Sequence, residues 1–268
     1  MSNQMPQQDP ITPSLRSNIK YVLAVMSGKG GVGKSSIAGL LACALQRKGL
    51  LVGILDADIT GSSIPKMFGA HQAPVAGPEG ILPIESNTGI KIMSINLLLP
   101  QEDQPVVWRG PLIGRAIQQF WKDIDWGELD YLVIDLPPGT SDAALTVMQS
   151  LPLKGILLVT SPQDLAGMVV RKAANMANHL NIPMIGLIEN MSYLICPECN
   201  TRVDLFGTSW AVESALQISI PLIGRIPIDT NLSILCDKGA IEDYQHDVIE
   251  RVTNQVIKYV SLNEKELV

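Results

Sequence analysis

The sequence predicts an α/β protein built on a parallel, doubly wound sheet, and three observations support this. Short apolar runs recur along the chain and end at Gly, Pro, Asp or Ser, as strands buried on both faces do. Helical patterns lie between several of these runs, and strands that alternate with helices form parallel sheets. A glycine-rich segment, GKGGVGKS at 28–35, follows the first run directly.

The elements follow in order from these patterns. Seven runs are predicted strands: Tyr21 to Met26, Leu51 to Leu55, Ile90 to Ile95, Tyr131 to Ile134, Gly155 to Val159, Met184 to Ile188 and Leu222 to Ile226. The first predicted helix follows Ser35, where apolar residues recur at helical spacing from Ile37 to Leu45 and Gly49 closes the segment. The other predicted helices are Leu112 to Lys122, Ser141 to Gln149, Asp164 to Asn178, Ser209 to Gln217 and Asp243 to Val260.

The chain length fits one large α/β domain, since 268 residues contain no long linker, repeat or low-complexity tract. We expect a single domain over 20–262, between a flexible tail at 1–19 and a short tail at 263–268. The last predicted helix has apolar residues that could face a membrane, but its mixed charge favours packing against the core.

Composition excludes several classes of protein. Hydrophobic residues make up 46% and charged residues 17%, which is not the composition of a disordered chain. The net charge of −6 argues against a nucleic-acid partner. No uncharged apolar run approaches the roughly 18 residues that span a bilayer, so no membrane partner is expected. The polar first residues do not resemble a secretory signal, and four cysteines fit a reducing compartment, so we expect the cytoplasm.

The glycine-rich segment matches the phosphate-binding pattern GxxxxGK[ST] through Gly28, Gly33, Lys34 and Ser35. Glycines let backbone amides surround phosphate oxygens, the lysine adds a positive charge, and the Ser35 hydroxyl can ligate Mg²⁺. The segment also matches the dinucleotide pattern GxGxxG, but that site needs no Lys-Ser pair, so a nucleoside triphosphate is favoured. The expected nucleotide-binding residues here are Gly28, Lys29, Gly30, Gly31, Val32, Gly33, Lys34, Ser35 and Ser36.

Lys29 lies one position into the loop, and two interpretations of it stay open. It is either a solvated loop charge or a second cation delivered to a phosphate, across a subunit interface in the manner of an arginine finger.

Carboxylates follow two of the predicted strands. Asp56 and Asp58 come after the second run, and residues two apart in an extended segment share a face, so both could face the nucleotide. Asp135 ends the run Tyr131 to Ile134 and is placed to hold the metal or its waters. The guanine-reading pattern NKxD is absent, which favours ATP over GTP.

Two cysteines at close spacing form a candidate site for a soft metal centre. Cys196 and Cys199 in CPEC can ligate an iron–sulfur cluster or zinc, or form a redox disulfide. A four-thiolate centre needs two more cysteines, whereas Cys43 and Cys236 are interpreted as buried small hydrophobic residues. Two chains would supply the missing pair.

Six strings, in order, resemble the Mrp (ApbC) family of ATP-dependent iron–sulfur cluster carriers: MSGKGGVGKS, DADITGSSIPKMFG, WRGP, DYLVIDLPPGTSD, ENMSY and CPEC. The resemblance covers about 20–255 and lies within the deviant-Walker group that includes MinD, ParA and nitrogenase iron protein. It implies a three-layer P-loop NTPase fold, in which a mainly parallel, roughly eight-stranded sheet lies between helices, and a homodimer.

The resemblance also implies roles for individual residues. Lys29 would reach the partner subunit's phosphates, Asp58 would orient the attacking water, and Asp135 would be the Walker B acid. Adenine would be bound by Asn190 and the segment from Pro227 to Asp229. Ser35 would ligate Mg²⁺, with Asp58 and Asp135 holding it through water.

The function expected from this resemblance is slow ATP hydrolysis coupled to a [4Fe-4S] cluster that bridges the homodimer on Cys196 and Cys199. The expected partners are cluster scaffold proteins and the apo-proteins that receive the cluster. The alternative is a positioning switch like MinD or ParA. One departure from the family is Thr208-Ser209-Trp210, where relatives often have a Gly-rich stretch.

Overall fold

A mainly parallel sheet forms the centre of the computed structural model, which describes residues 17–58, 61–78, 80–98, 110–162 and 167–264. The strands are β1 (Asn18–Ser27), β2 (Val52–Asp56), β3 (Val75–Ala76), β4 (Ile81–Leu82), β5 (Ile84–Glu85), β6 (Lys91–Ser94), β7 (Glu128–Asp135), β8 (Leu153–Thr160), β9 (Met184–Glu189), β10 (Leu194–Ile195), β11 (Arg202–Val203) and β12 (Leu222–Arg225). Eight of them form one sheet in the order β12-β9-β8-β1-β7-β2-β6-β5. Every neighbouring pair in it is parallel except β5 with β6.

Helices cover both faces of this sheet. The α-helices are α1 (Lys34–Arg47), α2 (Ile64–Met67), α3 (Gly110–Asp123), α4 (Asp142–Ser150), α5 (Gly167–His179), α6 (Ala211–Gln217), α7 (Thr230–Asp237) and α8 (Asp247–Glu264), with 3-10 turns at Ile95–Leu98 and Ile241–Asp243. The predicted three-layer α/β architecture and its eight-stranded sheet are therefore confirmed.

Alternating residues of β1 divide the core into two layers. Leu23 and Val25 pack with α1 and α8 on one face, and Ala24 and Met26 pack with α4 and α5 on the other. This alternation follows from strand geometry, and burial on both faces explains why β1 is almost continuously apolar.

All seven predicted strands lie in the large sheet, and the eighth strand, β5, was missed. It has two residues and pairs antiparallel at the edge, so it is too short to form a recognisable apolar run. Helices α2 and α7 were also missed: α2 has only four residues, and α7 has no fully buried residue, with Leu232, Leu235 and Cys236 only partly buried against the core.

The C-terminal helix packs into the core, as its charge pattern predicted. Val248, Val252, Val256 and Val260 recur every four residues and are all buried against the layer that contains α1. Among the described residues, no helix is both long and apolar enough to cross a bilayer.

Some predicted features fall outside the described residues. These are 1–16 and 265–268 of the two tails, Ile59 and Thr60 of the DADITGSS segment, Trp108 and Arg109 of WRGP, and 163–166 at the start of a predicted helix. Strand β1 begins at Asn18 and α8 ends at Glu264, so regular structure extends two residues beyond each end of the expected domain.

Candidate functional site

The glycine-rich loop joins β1 to α1 at the carboxyl edge of the sheet, and its backbone is tightly constrained. Gly31 and Gly33 have φ angles of 80° and 78°, in the left-handed region that favours glycine. A Cβ at Gly33 would lie 2.2 Å from Asn190 Nδ2, and one at Gly28 would lie 2.4 Å from a methyl carbon of Val169. Neighbouring side chains thus approach the backbone at Gly28 and Gly33 so closely that a Cβ atom would not fit at either position.

Lys34 is buried, and its ammonium group lies between two carboxylates. Its Nζ is 2.6 Å from Asp135 Oδ1 and 3.7 Å from Asp58 Oδ2. The Ser35 hydroxyl donates a hydrogen bond to the other Asp135 oxygen. The structure thus brings together four of the predicted site residues: Lys34, Ser35, Asp58 and Asp135. Lys34 and Asp135 are 101 positions apart in the chain, and the four residues meet because β1, β7 and β2 are adjacent in the sheet.

Burial governs the electrostatics of this cluster. It raises the pKa of Asp135, and the neighbouring Lys34 ammonium group and the Ser35 hydroxyl partly offset that effect. The carboxylate is fully enclosed, so its charge depends on the lysine beside it.

Asp56 is buried beside the same cluster. Its carboxylate accepts hydrogen bonds from the Asp58 amide at 3.1 Å and the Ser62 hydroxyl at 2.6 Å, and only 1% of the residue is exposed. Burial and the nearby Asp135 carboxylate raise the pKa of Asp56 to about 7. Asp56 thus lies beside the Lys34 cluster and also anchors the segment that follows β2, and the prediction that both Asp56 and Asp58 face the nucleotide stays a prediction.

The positions expected to bind adenine lie in different surroundings. Asn190 is buried beneath the phosphate loop, and its Nδ2 donates to the Val32 carbonyl at 2.9 Å. Asp229 caps α7 by accepting from the Asn231 amide at 2.8 Å, and its second oxygen accepts from the Tyr244 hydroxyl at 2.9 Å. Pro227, two residues before this cap, is buried.

The cysteine pair lies on a tight turn between β10 and β11. The Asn200 amide donates to the Cys196 carbonyl at 2.9 Å, and the Cys196 amide donates to the Thr201 carbonyl at 3.0 Å. Cys199 Sγ is 3.3 Å from the Thr201 hydroxyl, and hydrogen bonds from Thr201 lower the pKa of the exposed Cys199 thiol. The turn therefore exposes the Cys199 thiol and favours its thiolate, the form that binds soft metals, while the neighbouring Cys196 is half-buried.

The other two cysteines are separate from this pair. Cys43 is buried in α1, and burial raises its pKa to about 12. Cys236 is half-buried against the same apolar layer. In the part of the chain that the structure describes, no three His, Cys, Asp or Glu side chains are arranged to hold a metal ion.

A buried polar network was missed by sequence reasoning. Glu189, at the end of β9, accepts hydrogen bonds from the hydroxyls of Ser192 and Ser209 and from Arg225 Nε. The only signal was a single acid directly after an apolar run, and nothing in the sequence indicates that Ser209 and Arg225 fold onto it.

The phosphate-binding loop between the first strand and the first helix, with a lysine and acidic strand ends beside it, defines the class of the protein as a P-loop nucleoside triphosphatase. Within that class, the chain belongs to the family described as ParA, NUBPL iron-transfer P-loop NTPase, which it matches over residues 18–261.

Curated relatives are similar over most of their length. The chain is 50% identical to the iron–sulfur cluster carrier protein of Methanocaldococcus jannaschii, over 87% of this chain and 81% of that protein. It is 45% identical to the protein of the same name from Clostridium perfringens, over 85% of this chain and 82% of that protein.

Solved structures agree with the fold. A nucleotide-binding protein of Archaeoglobus fulgidus in complex with ADP is 45% identical, with a TM-score of 0.79 over 87% of this chain and 91% of that chain. The cell division ATPase MinD of Pyrococcus furiosus has a TM-score of 0.61 over 89% of this chain and 99% of that chain, and at 17% identity it shows the fold alone.

Proposed function

We propose that this protein is an ATPase that carries a [4Fe-4S] cluster between two copies of the chain and transfers it to apo-proteins. The observation that supports this most is the exposed Cys196–Cys199 turn in a chain that also has a phosphate-binding loop. The relatives named iron–sulfur cluster carrier protein, at 45% and 50% identity, favour the same function.

The nucleotide machinery is proposed from the geometry of the loop. Backbone amides of 28–36 surround the phosphates, and Lys34 balances the charge of the outer ones. Asp58 orients the attacking water, and Lys29 reaches the phosphates bound by the partner chain. Asn190 and the segment from Pro227 to Asp229 lie beside the base, where Asp229 acts through its cap on α7.

The residues around Lys34 fit a magnesium ion. Ser35, Asp58 and Asp135 offer only oxygen donors, which Mg²⁺ prefers, and the two carboxylates already converge on one cation. Ser35 would ligate the metal directly, with Asp58 and Asp135 holding it through water. The ion would neutralise charge on the phosphates when bound.

The cysteines support a bridged homodimer. Each chain presents two adjacent thiols, whereas a [4Fe-4S] cluster takes four cysteine ligands, so two chains complete one site. We place this activity in the cytoplasm, with cluster scaffold proteins as donors. The burial of the apolar face of α8 disfavours the alternative of a switch that attaches to membranes through this helix.

Anaerobic reconstitution tests the proposal. The purified chain is incubated with iron, sulfide and a reductant, and its absorption spectrum and iron content are measured after desalting. We expect a coloured protein that retains iron and sulfide in equal amounts. A colourless product that retains no iron would contradict the proposal, and zinc found in the purified chain would assign the cysteine turn to a structural metal.

Mixed dimers test the proposed role of Lys29. Lys29→Ala and Asp58→Ala chains are each expected to bind ATP but to hydrolyse it slowly, since one loses the cation given to its partner and the other its own water-orienting acid. In a mixture, some dimers combine an intact Asp58 in one chain with an intact Lys29 in the other and regain one working site. Hydrolysis that does not recover in the mixture would show that Lys29 does not act across the interface.

A further inference from the structure

The Glu189 carboxylate joins three separate parts of the chain. Its Oε1 accepts from the Ser209 hydroxyl at 2.7 Å, and its Oε2 accepts from the Ser192 hydroxyl at 2.5 Å and from Arg225 Nε at 3.0 Å. Arg225 Nε is also 3.0 Å from the Ser192 hydroxyl oxygen. The carboxylate is 2% exposed, so these contacts replace the water it would otherwise bind.

Two of these partners mark the ends of the cysteine-bearing segment. Ser192 comes before β10, Ser209 comes after β11, and Cys196 and Cys199 lie between them. Both ends of the segment 192–209 are therefore hydrogen-bonded to one group, the Glu189 carboxylate, which we call the base of this segment. The hairpin itself is short, with two residues in each strand, and Leu194 also bridges Ile228 through the backbone, so Glu189 adds the side-chain contacts that hold both ends of the segment.

The next residue along the chain contacts the nucleotide loop. Asn190 Nδ2 donates to the Val32 carbonyl at 2.9 Å, and the Asn190 amide donates to the Thr160 carbonyl at 2.8 Å. The dipeptide Glu189-Asn190 thus holds the phosphate loop through one side chain and the cysteine segment through the other.

We propose that Glu189 is a positioning residue that transmits nucleotide binding at the phosphate loop to the cysteine turn. A shift of the loop carbonyl displaces Asn190, and the adjoining carboxylate moves both ends of the segment 192–209 together. This inference rests on the proposed cluster-carrying function. It identifies the contact through which the nucleotide site and the cysteine turn affect each other. Such coupling is reciprocal: if bound nucleotide changes the affinity for the cluster by some factor, bound cluster must change the affinity for nucleotide by the same factor.

Hydrogen exchange on the full chain without cluster tests the inference. Exchange of the amides of 193–203 is measured with and without Mg-ATP in the parent protein, in Glu189→Gln and in Ser209→Ala. The matched control is Glu198→Gln, which removes an exposed carboxylate from the same segment outside the network. Ser209→Ala removes one hydroxyl and keeps the charge pair, so it remains informative if Glu189→Gln does not fold.

We expect nucleotide to change exchange in the cysteine segment of the parent and of Glu198→Gln by at least about fivefold, the lower end of typical coupling. In Ser209→Ala, and in Glu189→Gln where it folds, the change is expected to fall below about twofold, while ATP still binds. A cysteine segment that does not respond to nucleotide in the parent would overturn the inference, as would variants that respond like the parent.

A second measurement separates this inference from the proposed function. ATP affinity is compared between cluster-free and reconstituted protein. Nucleotide-dependent exchange that is lost in Ser209→Ala, in a protein that takes up no cluster, supports the role of Glu189 and contradicts cluster carrying. Cluster uptake with equal ATP affinity in both forms, and no change in exchange, overturns the role of Glu189 and leaves the carrier function intact.

Discussion

Lys34→Ala is expected to abolish measurable ATP binding. Hydrogen bonds to charged groups contribute about 1.5 to 3 kcal/mol each, so if Lys34 gives two such bonds to the outer phosphates, their loss weakens binding by roughly a hundredfold or more. Titration with a fluorescent ATP analogue measures this loss. Circular dichroism shows whether the variant remains folded, so that lost binding is not confused with unfolding.

The matched control is Asp58→Ala, which removes a carboxylate 3.7 Å from the same ammonium group. This variant is expected to keep ATP affinity and to lose hydrolysis, because its proposed role is to orient water and not to hold phosphate. Equal loss of affinity in the two variants would contradict both assignments.

The same lysine variant is also expected to change how stability depends on pH. Burial raises the pKa of Asp135 and Lys34 opposes that rise, so removing the lysine raises the pKa further. A carboxyl group with a raised folded-state pKa holds its proton more tightly when folded, so stability falls as pH increases above the unfolded value of about 4. The free energy of unfolding lost in Lys34→Ala should therefore be larger at about pH 8 than at about pH 5.5.

Local motifs explain how much of the nucleotide site could be predicted from the sequence. The phosphate loop needs glycines, Lys34 and Ser35 within one short stretch of chain. Its pattern can therefore be recognised in the sequence alone. Asp135 could be assigned because it ends an apolar run, and parallel strands place such ends at one edge of a sheet.

Tertiary pairing explains what the sequence could not reveal. The buried Asp56 carboxylate accepts a hydrogen bond from Ser62, 6 residues later, and Asp229 accepts one from Tyr244, 15 residues later. Glu189 is bound by Ser209 and Arg225, 20 and 36 residues away. These partners are common polar residues with no fixed spacing, so no local pattern marks them.

Mutation of the cysteine turn is expected to separate the two halves of the proposed function. Cys196→Ala or Cys199→Ala should abolish stable cluster binding, because each removes two of the four ligands from a bridged pair of chains. Compared with the cluster-free parent protein, these variants should have nearly unchanged ATP affinity, since the thiols do not contact the phosphate loop. Cys236→Ala is the matched control, as its thiol is half-buried on α7 and should not affect the cluster.

The number of clusters per chain tests how the site is built. If each chain gives two thiolates, the loaded protein contains one [4Fe-4S] cluster per two chains, on the two-fold axis of the dimer. Because the cluster binds the paired chains and not the separate ones, it should strengthen the dimer by mass action, which sedimentation with and without cluster measures. One full cluster per chain, or a cluster that survives in the Cys196→Ala/Cys199→Ala variant, would contradict the bridge. Cys43 and Cys236 would then have to supply ligands, although Cys43 is buried in α1 with a pKa of about 12 and could reach metal only if that helix opened.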